Sequence, residues 1–303
     1  MSAEASGIAG MGPRQDKSRF SPSSIGWLLP SAAVVGVLFL FPVGYAAYLA
    51  FTNLQLLGPN AQNYWFTGLD NINRMYNDPV FWHAFKLTLI FVVASGIVAQ
   101  TVIGMALALT MRNAIPALRL GVSSLVILAW VLPEISAAFI WYAFAQAGGT
   151  LSLLTRQTNE NYLASHALLI VCVANAWRGC AFSMLVFTAG LRAVPGEVDE
   201  AAQLEGASYW RRLFSVILPI LRPTIMTTLL LITLGTLSDF TLIFAMTQGG
   251  PGNDTTILPV YMYIEAFQFN ALGYGTAIAL ALIVIAALFS FLYVRSEAKG
   301  QTG

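Results

Sequence analysis

The stretch Pro195-Gly-Glu-Val-Asp-Glu-Ala-Ala-Gln-Leu-Glu-Gly-Ala-Ser-Tyr-Trp-Arg-Arg-Leu-Phe-Ser-Val-Ile-Leu-Pro219 interrupts a chain that is otherwise mostly apolar. Its pattern predicts two short helices with a break. Pro195 presets a helical φ near the first start, Glu197, Asp199 and Glu200 put negative charge in the opening turns, and Gly206 can take a left-handed cap. In the second helix Ser208 is the N-cap, and Trp210, Leu213, Phe214 and Ile217 recur as one apolar stripe beside Arg211 and Arg212. Pro219 is expected to end that helix. A hairpin this apolar needs a protein groove or a lipid interface to cover it.

On either side lie segments long enough to cross a hydrocarbon core, which needs ~20 apolar residues. Six are expected as helices, at 27–51, 87–111, 120–146, 163–191, 224–246 and 271–294. They lack the alternation of a barrel strand, so the fold class is an all-α membrane protein with six transmembrane helices. The composition agrees, with 57% hydrophobic and 10% charged residues among 303. Net charge is +1 with no acidic or basic tail to suggest nucleic acid, so that balance says nothing of partners; no nucleic acid is expected, and the apolar spans make the lipid membrane the surroundings. Basic residues set the orientation: eleven of the fifteen fall at the termini and alternate loops, including Arg14, Lys17, Arg19, Arg112, Arg119, Arg192 and Arg212. By the positive-inside rule both termini and the 195–219 loop are cytoplasmic. Residues 1–24 read as a disordered tail, 25–295 as the membrane domain and 296–303 as a second tail.

The chain offers no catalytic constellation and no metal cluster. His83 and His166 are lone residues at span ends, Cys172 and Cys180 are too far apart along one helix to bridge, and none of three lysines lies in a phosphate-cradling Gly-rich loop. Gly96 and Gly104 are expected to let helices pack closely.

The 195–219 loop resembles the "EAA" motif of bacterial binding-protein-dependent ABC permeases: Glu200-Ala201-Ala202, then Gly206, then Leu218-Pro219, with Val216 where isoleucine is usual. The resemblance implies a type I importer permease fold in which this loop is a coupling helix docked on an ATPase. Leu28-Leu-Pro, Phe41-Pro-Val-Gly-Tyr, Gly68-Leu-Asp-Asn-Ile, Asp78-Pro-Val-Phe-Trp and Thr247-Gln-Gly-Gly-Pro-Gly252 are similar to the carbohydrate-type group of maltose and glycerol-phosphate importers, and to the first of two paired permeases. Gly149-Thr-Leu-Ser152 departs from the usual ending in asparagine. The implied partners are a second permease, two ABC ATPase subunits that bind ATP and Mg, and an extracellular solute-binding lipoprotein; no cofactor is expected in this chain. A self-sufficient, ion-coupled transporter is the alternative, against which stands the absence of visibly interrupted spans.

Charges inside a membrane normally face a cavity or a partner. Glu134, Arg178 and Asp239 lie within the expected third, fourth and fifth spans. With Asn175, Trp141 and Trp177 they could line a solute path, sugars being held by carboxylates, amides and aromatic faces. Equally, Arg178 could pair with Glu134 or Asp239 merely to tie helices together.

Overall fold

The computed structural model describes residues 22–157 and 159–301. Most of the tail expected over 1–24, with Arg14, Lys17 and Arg19, lies outside them. The described residues fall into two compact units that divide between Ala46 and Ala47. The first contains helix α1 (Pro22–Val35), which passes through a π-turn at Gly36–Leu40 into α2 (Phe41–Leu49), whose last three residues belong to the second. Phe41 N–H bonds to Gly36 O, five residues back, just before Pro42. That one-residue loosening of the ladder accommodates a ring that can donate no hydrogen bond.

The second unit holds the remaining helices: α3 (Asp70–Asn77), α4 (Pro79–Phe91), α5 (Thr101–Arg112), α6 (Pro116–Val131), α7 (Glu134–Ala145), α8 (Thr150–Leu154) and α9 (Tyr162–Ser165). They are followed by α10 (Ala167–Ala193), α11 (Gly196–Leu204), α12 (Tyr209–Arg212), α13 (Leu218–Leu237), α14 (Thr241–Thr247), α15 (Leu258–Tyr263) and α16 (Leu272–Gln301). Among the described residues six helical stretches are long and apolar enough to cross a membrane: Leu29–Leu49, Pro79–Arg112, Glu134–Leu154, Ala167–Ala193, Tyr209–Leu237 and Leu272–Ser296. The six expected spans are present, with altered ends and two internal breaks.

The third span is not one helix. Leu132 and Pro133 are extended, with ψ of 136° and 139°, because the residue before a proline is pushed out of the α region. The fifth breaks at 238–240, between α13 and α14. Both interruptions correct the sequence reading. A third correction concerns Pro219, which does not end its helix: Leu218 N–H bonds to Leu213 O across a π-turn, and the helix runs on from Tyr209 to Leu237. The device is the one seen ahead of Pro42.

The long α10 is the hub on which α5, α6, α7, α13 and α14 pack. Its contact with the second span is close because Gly104 has no side chain; a Cβ there would lie 2.3 Å from Ser183 Cβ and 2.9 Å from Met184 N. Gly96 makes a similar approach, 2.9 Å from Thr236 Oγ1. The expected role of both glycines is what the packing requires.

At the end of the bundle away from the 195–219 loop, polar groups tie four segments together. Asp78 caps α4 by accepting from Val80 N at 2.9 Å, and its Oδ2 also accepts from Tyr274 at 2.6 Å and from Tyr261. Arg74 lies 3.8 Å above the Tyr274 ring and pairs with Glu265 at 2.8 Å. Partial burial pushes the Asp78 carboxyl up, but hydrogen bonds from the two tyrosines and from Val80 and Phe81 N–H outweigh it and hold the group below the ordinary carboxylate value.

Two outcomes follow from this packing. Gly104→Val should cost more than about 3 kcal/mol, the overpacking being against backbone as well as side chain, and should abolish recovery of folded protein; a Gly104→Val chain with wild-type melting temperature would contradict the contact. Because Asp78 is held low when folded, its stabilisation is complete above its unfolded value of ~3.9 and is lost as pH falls through the folded one. Asp78→Asn should therefore flatten the acid limb of the stability profile, read as melting temperature against pH.

Candidate functional site

The two broken spans meet at a cavity of about 430 Å³. Its wall contains Glu134, Asn175, Arg178 and Asp239, together with Gln100, Trp130, Phe182 and Thr236. The breaks position the carboxylates. Glu134 begins α7 directly after the extended pair Leu132-Pro133, where its charge complements the exposed N–H groups of a helix start. Asp239 lies in the gap between α13 and α14 and is 8% exposed. Arg178, from α10, pairs with Glu134 at 2.9 Å between Nη1 and Oε1.

One arginine thus serves a wall with two carboxylates, and it is bonded to only one. Asp239 Oδ1 has no hydrogen-bond partner among the described residues, nor does Arg178 Nε. The Asn175 side chain is occupied, donating to Ser95 Oγ at 2.7 Å, and the Asn175 main-chain carbonyl accepts from Gln100 Nε2 at 3.4 Å. Gln100 packs so tightly on α10 that a Cβ at Gly179 would meet its Cδ at 2.1 Å. The amides are engaged, whereas Asp239 Oδ1 is buried in the wall without a hydrogen-bond partner among the described residues, an acceptor left unsatisfied.

Of the six residues expected to line a path, four converge here. Trp141 and Trp177 do not. They stack edge to face at 6.0 Å and pack against an apolar cluster built around Phe91, Val171, Leu242 and Ile243. The aromatic wall is instead Trp130 and Phe182, 6.2 Å apart. Trp130 escaped notice because a continuous third span gave no reason to single it out; Gln100 could have been found as an amide within an apolar helix.

The coupling loop keeps its expected break. Gly206 has φ of +76°, Gly206 N–H bonds to Gln203 O and Ala207 N–H to Ala202 O, the paired bonds of a Schellman cap. Ser208 Oγ accepts from Arg211 N at 3.4 Å. The single apolar stripe, however, divides into two. Leu213 and Ile217 are buried against Phe187, Leu191 and Leu221, whereas Trp210 and Phe214 stack on each other at 6.1 Å and are 65% and 63% exposed. The π-turn at Leu213–Ile217 rotates the helix between the two pairs. Glu200, Ala201, Gly206 and Pro219 are exposed, and Ala202 and Leu218 partly so. Leu204 is 91% exposed at the end of α11. Asp199 anchors the loop to the bundle, with Arg112 of the second span at 3.3 Å and Arg212 at 3.6 Å.

Six apolar stretches long enough to span a membrane, with interruptions beside a charged cavity in the second unit and an exposed capped helix at 196–212, define a multi-pass membrane permease. Residues 100–299 match the family described as binding-protein-dependent transport system inner membrane component, and the chain belongs to that family. It is 31% identical over 283 residues to the trehalose transport system permease protein SugA of Mycobacterium tuberculosis, covering 92% of this chain and 90% of the relative. It is 29% identical over 275 residues to the sulfoquinovosyl glycerol transport system permease protein SmoG of Agrobacterium fabrum, covering 88% of each. Its fold is that of a chain in the crystal structure of a bacterial ABC transporter that imports the acidic polysaccharide alginate, with a TM-score of 0.73 at 19% identity, covering 91% of this chain and 95% of the other. Permeases of this family are transport subunits, and this chain is one rather than an ATPase. Interrupted spans, which would have suited an ion-coupled carrier, are compatible with this family after all.

If the pairing across the cavity organises the break, Arg178→Gln should lower the melting temperature more than Glu134→Gln does, and the Arg178→Gln, Glu134→Gln double variant should recover part of the loss. Strictly additive effects would show that the two side chains do not depend on each other.

Proposed function

We propose that this chain forms half of the translocation path of an ATP-driven importer for a sugar or sugar-like solute. The observation that carries this reading is the 195–219 loop, a capped helix left exposed at its tip and tied by Asp199 to two different spans. A short element held at two points transmits a partner's movement as rigid-body motion rather than absorbing it. Glu200, Ala201, Ala202 and Gly206 form the docking face for a cytoplasmic ATPase that binds ATP and Mg, and Leu218 and Pro219 carry the motion into the fifth span. A second permease completes the pore, and an external solute-binding protein delivers cargo. Both termini lie in the cytoplasm.

Sugar-like cargo is supported by relatives named for trehalose and sulfoquinovosyl glycerol transport and by the cavity chemistry. Asp239 accepts hydrogen bonds from solute hydroxyls, Glu134 and Arg178 shape the opposite wall, and Trp130 and Phe182 present apolar faces of the kind sugar rings stack on.

Purified from its native host, the chain should bring with it an ATPase, a second permease and a binding protein. Glu200→Arg or Gly206→Trp should strip the ATPase while leaving the two permeases paired. Solute uptake by this chain alone, without ATP, would sink the proposal. In the intact importer, Glu134→Gln with Asp239→Asn should change which solute is carried or raise its half-saturating concentration about tenfold, as expected when hydrogen bonds worth ~1.4 kcal/mol in sum are lost.

A further inference from the structure

A second cavity, of about 270 Å³, opens where the ends of α5 and α10 meet the start of α6. Arg112, Arg119 and Arg192 line it, one from each helix, with the Thr188 hydroxyl beside them. Arg112 also anchors the 195–219 loop through Asp199, but nothing in solute passage or in ATPase docking calls for Arg119 and Arg192 beside it. The cluster's charges are not balanced from within. Arg112 reaches Asp199 at 3.3 Å, but that carboxylate is shared with Arg212 at 3.6 Å. Arg119 and Arg192 are exposed and pair with no carboxylate among the described residues. The floor beneath them is apolar, formed by Ala108, Met111, Leu191 and Val194.

Three guanidiniums around one concave space repel each other unless an anion sits among them. Their planar forks match phosphate oxygens in pairs, which an ammonium cannot do. We propose that this cavity binds a phosphate-bearing anion, the headgroup of an acidic phospholipid or a free phosphate. The inference rests on the orientation proposed above, which puts this end of the bundle at the cytoplasmic leaflet, where acidic headgroups lie and basic pockets between spans capture them. An apolar floor under a basic rim suits a headgroup whose chains continue along the helices. Occupancy also bears on coupling, because the anion and Asp199 share Arg112, and Asp199 is the residue that fastens α11 to the bundle.

The test uses the whole importer, with its partner subunits, in nanodiscs of phosphatidylcholine alone or with phosphatidylglycerol. Wild type is compared with an Arg119→Gln, Arg192→Gln double variant, whose changes are at exposed positions. Native mass spectrometry reads retained phosphatidylglycerol, and a parallel arm titrates inorganic phosphate into phosphatidylcholine discs at fixed ionic strength while following melting temperature. A basic residue near such a group is worth about a fivefold change in binding, so the double variant should retain phosphatidylglycerol about 25-fold more weakly. Its solute-stimulated ATP hydrolysis in phosphatidylcholine should match wild type. Arginine-dependent stabilisation by phosphate alone, without lipid retention, would identify a free anion as the ligand and support the site. Equal anion binding by wild type and variant in both arms would overturn it. Loss of the ATPase subunits from the variant would also overturn it, by assigning the arginines to acids on a partner. Ordinary ATP-driven transport without arginine-dependent anion binding removes this site alone, whereas an isolated chain that brings no ATPase removes the importer reading.

Discussion

Arg178 stands partway along α10, the helix on which α5, α6, α7, α13 and α14 pack, and a charge at that depth has to find its partner inside the protein. It finds Glu134 at 2.9 Å. That geometry depends on the third span breaking: an unbroken helix through Pro133 would put Glu134 in a helix interior, with its neighbours' carbonyls satisfied and nothing opened beside it. The extended pair Leu132-Pro133 instead begins a new helix at Glu134 and leaves a cavity alongside. The break at 238–240 does the same for Asp239 from the other wall. Irregular backbone is tolerated at membrane depth only where it lines a cavity or is covered by protein, and both breaks obey that constraint.

The same logic of paired charge fixes the loop at one end. Asp199 collects Arg112 and Arg212, so α11 is joined to the second and the fifth spans and not left as a flap. The fifth span is the one that runs, through the π-turn at Leu213–Ile217 and past Pro219, up to Thr236 and Asp239 at the cavity. A push on the loop therefore has a continuous helix along which to reach the site. At the other end, Asp78, Tyr261, Tyr274, Arg74 and Glu265 hold α3, α4, α15 and α16 together.

Much of this could be read before any coordinates. Apolar length gave the six spans, Gly206 and Ser208 marked the hinge of the loop, and Glu134, Arg178 and Asp239 stood out because charge is costly in lipid. Proline was the main source of error, and in both directions. Pro133 falls inside the continuous span expected over 120–146 and breaks it; Pro219, expected to end its helix, is absorbed by a π-turn. Whether a helix adjusts by one residue or gives way depends on what its neighbours can satisfy, which is a tertiary property. The split of Trp210 and Phe214 from Leu213 and Ile217 has the same origin, since a π-turn shifts a 3.6-residue stripe off its face. Trp141 and Trp177 were misplaced for a different reason, because helical spacing alone does not say which side of α7 and α10 meets the cavity.

In the proposed function the cavity between the broken spans is the path, and ATP bound by the partner ATPase docked on the loop changes its exposure. Gly235 lines this cavity, and a Cβ there meets nothing within 4 Å, so it can carry a reporter thiol. With Cys172 and Cys180 replaced by serine, Gly235→Cys in the reconstituted importer should react with a membrane-impermeant maleimide from one side when nucleotide is absent. When ATP is trapped, it should react from the other. A labelling rate that is indifferent to nucleotide, or equal from both sides, would contradict the account.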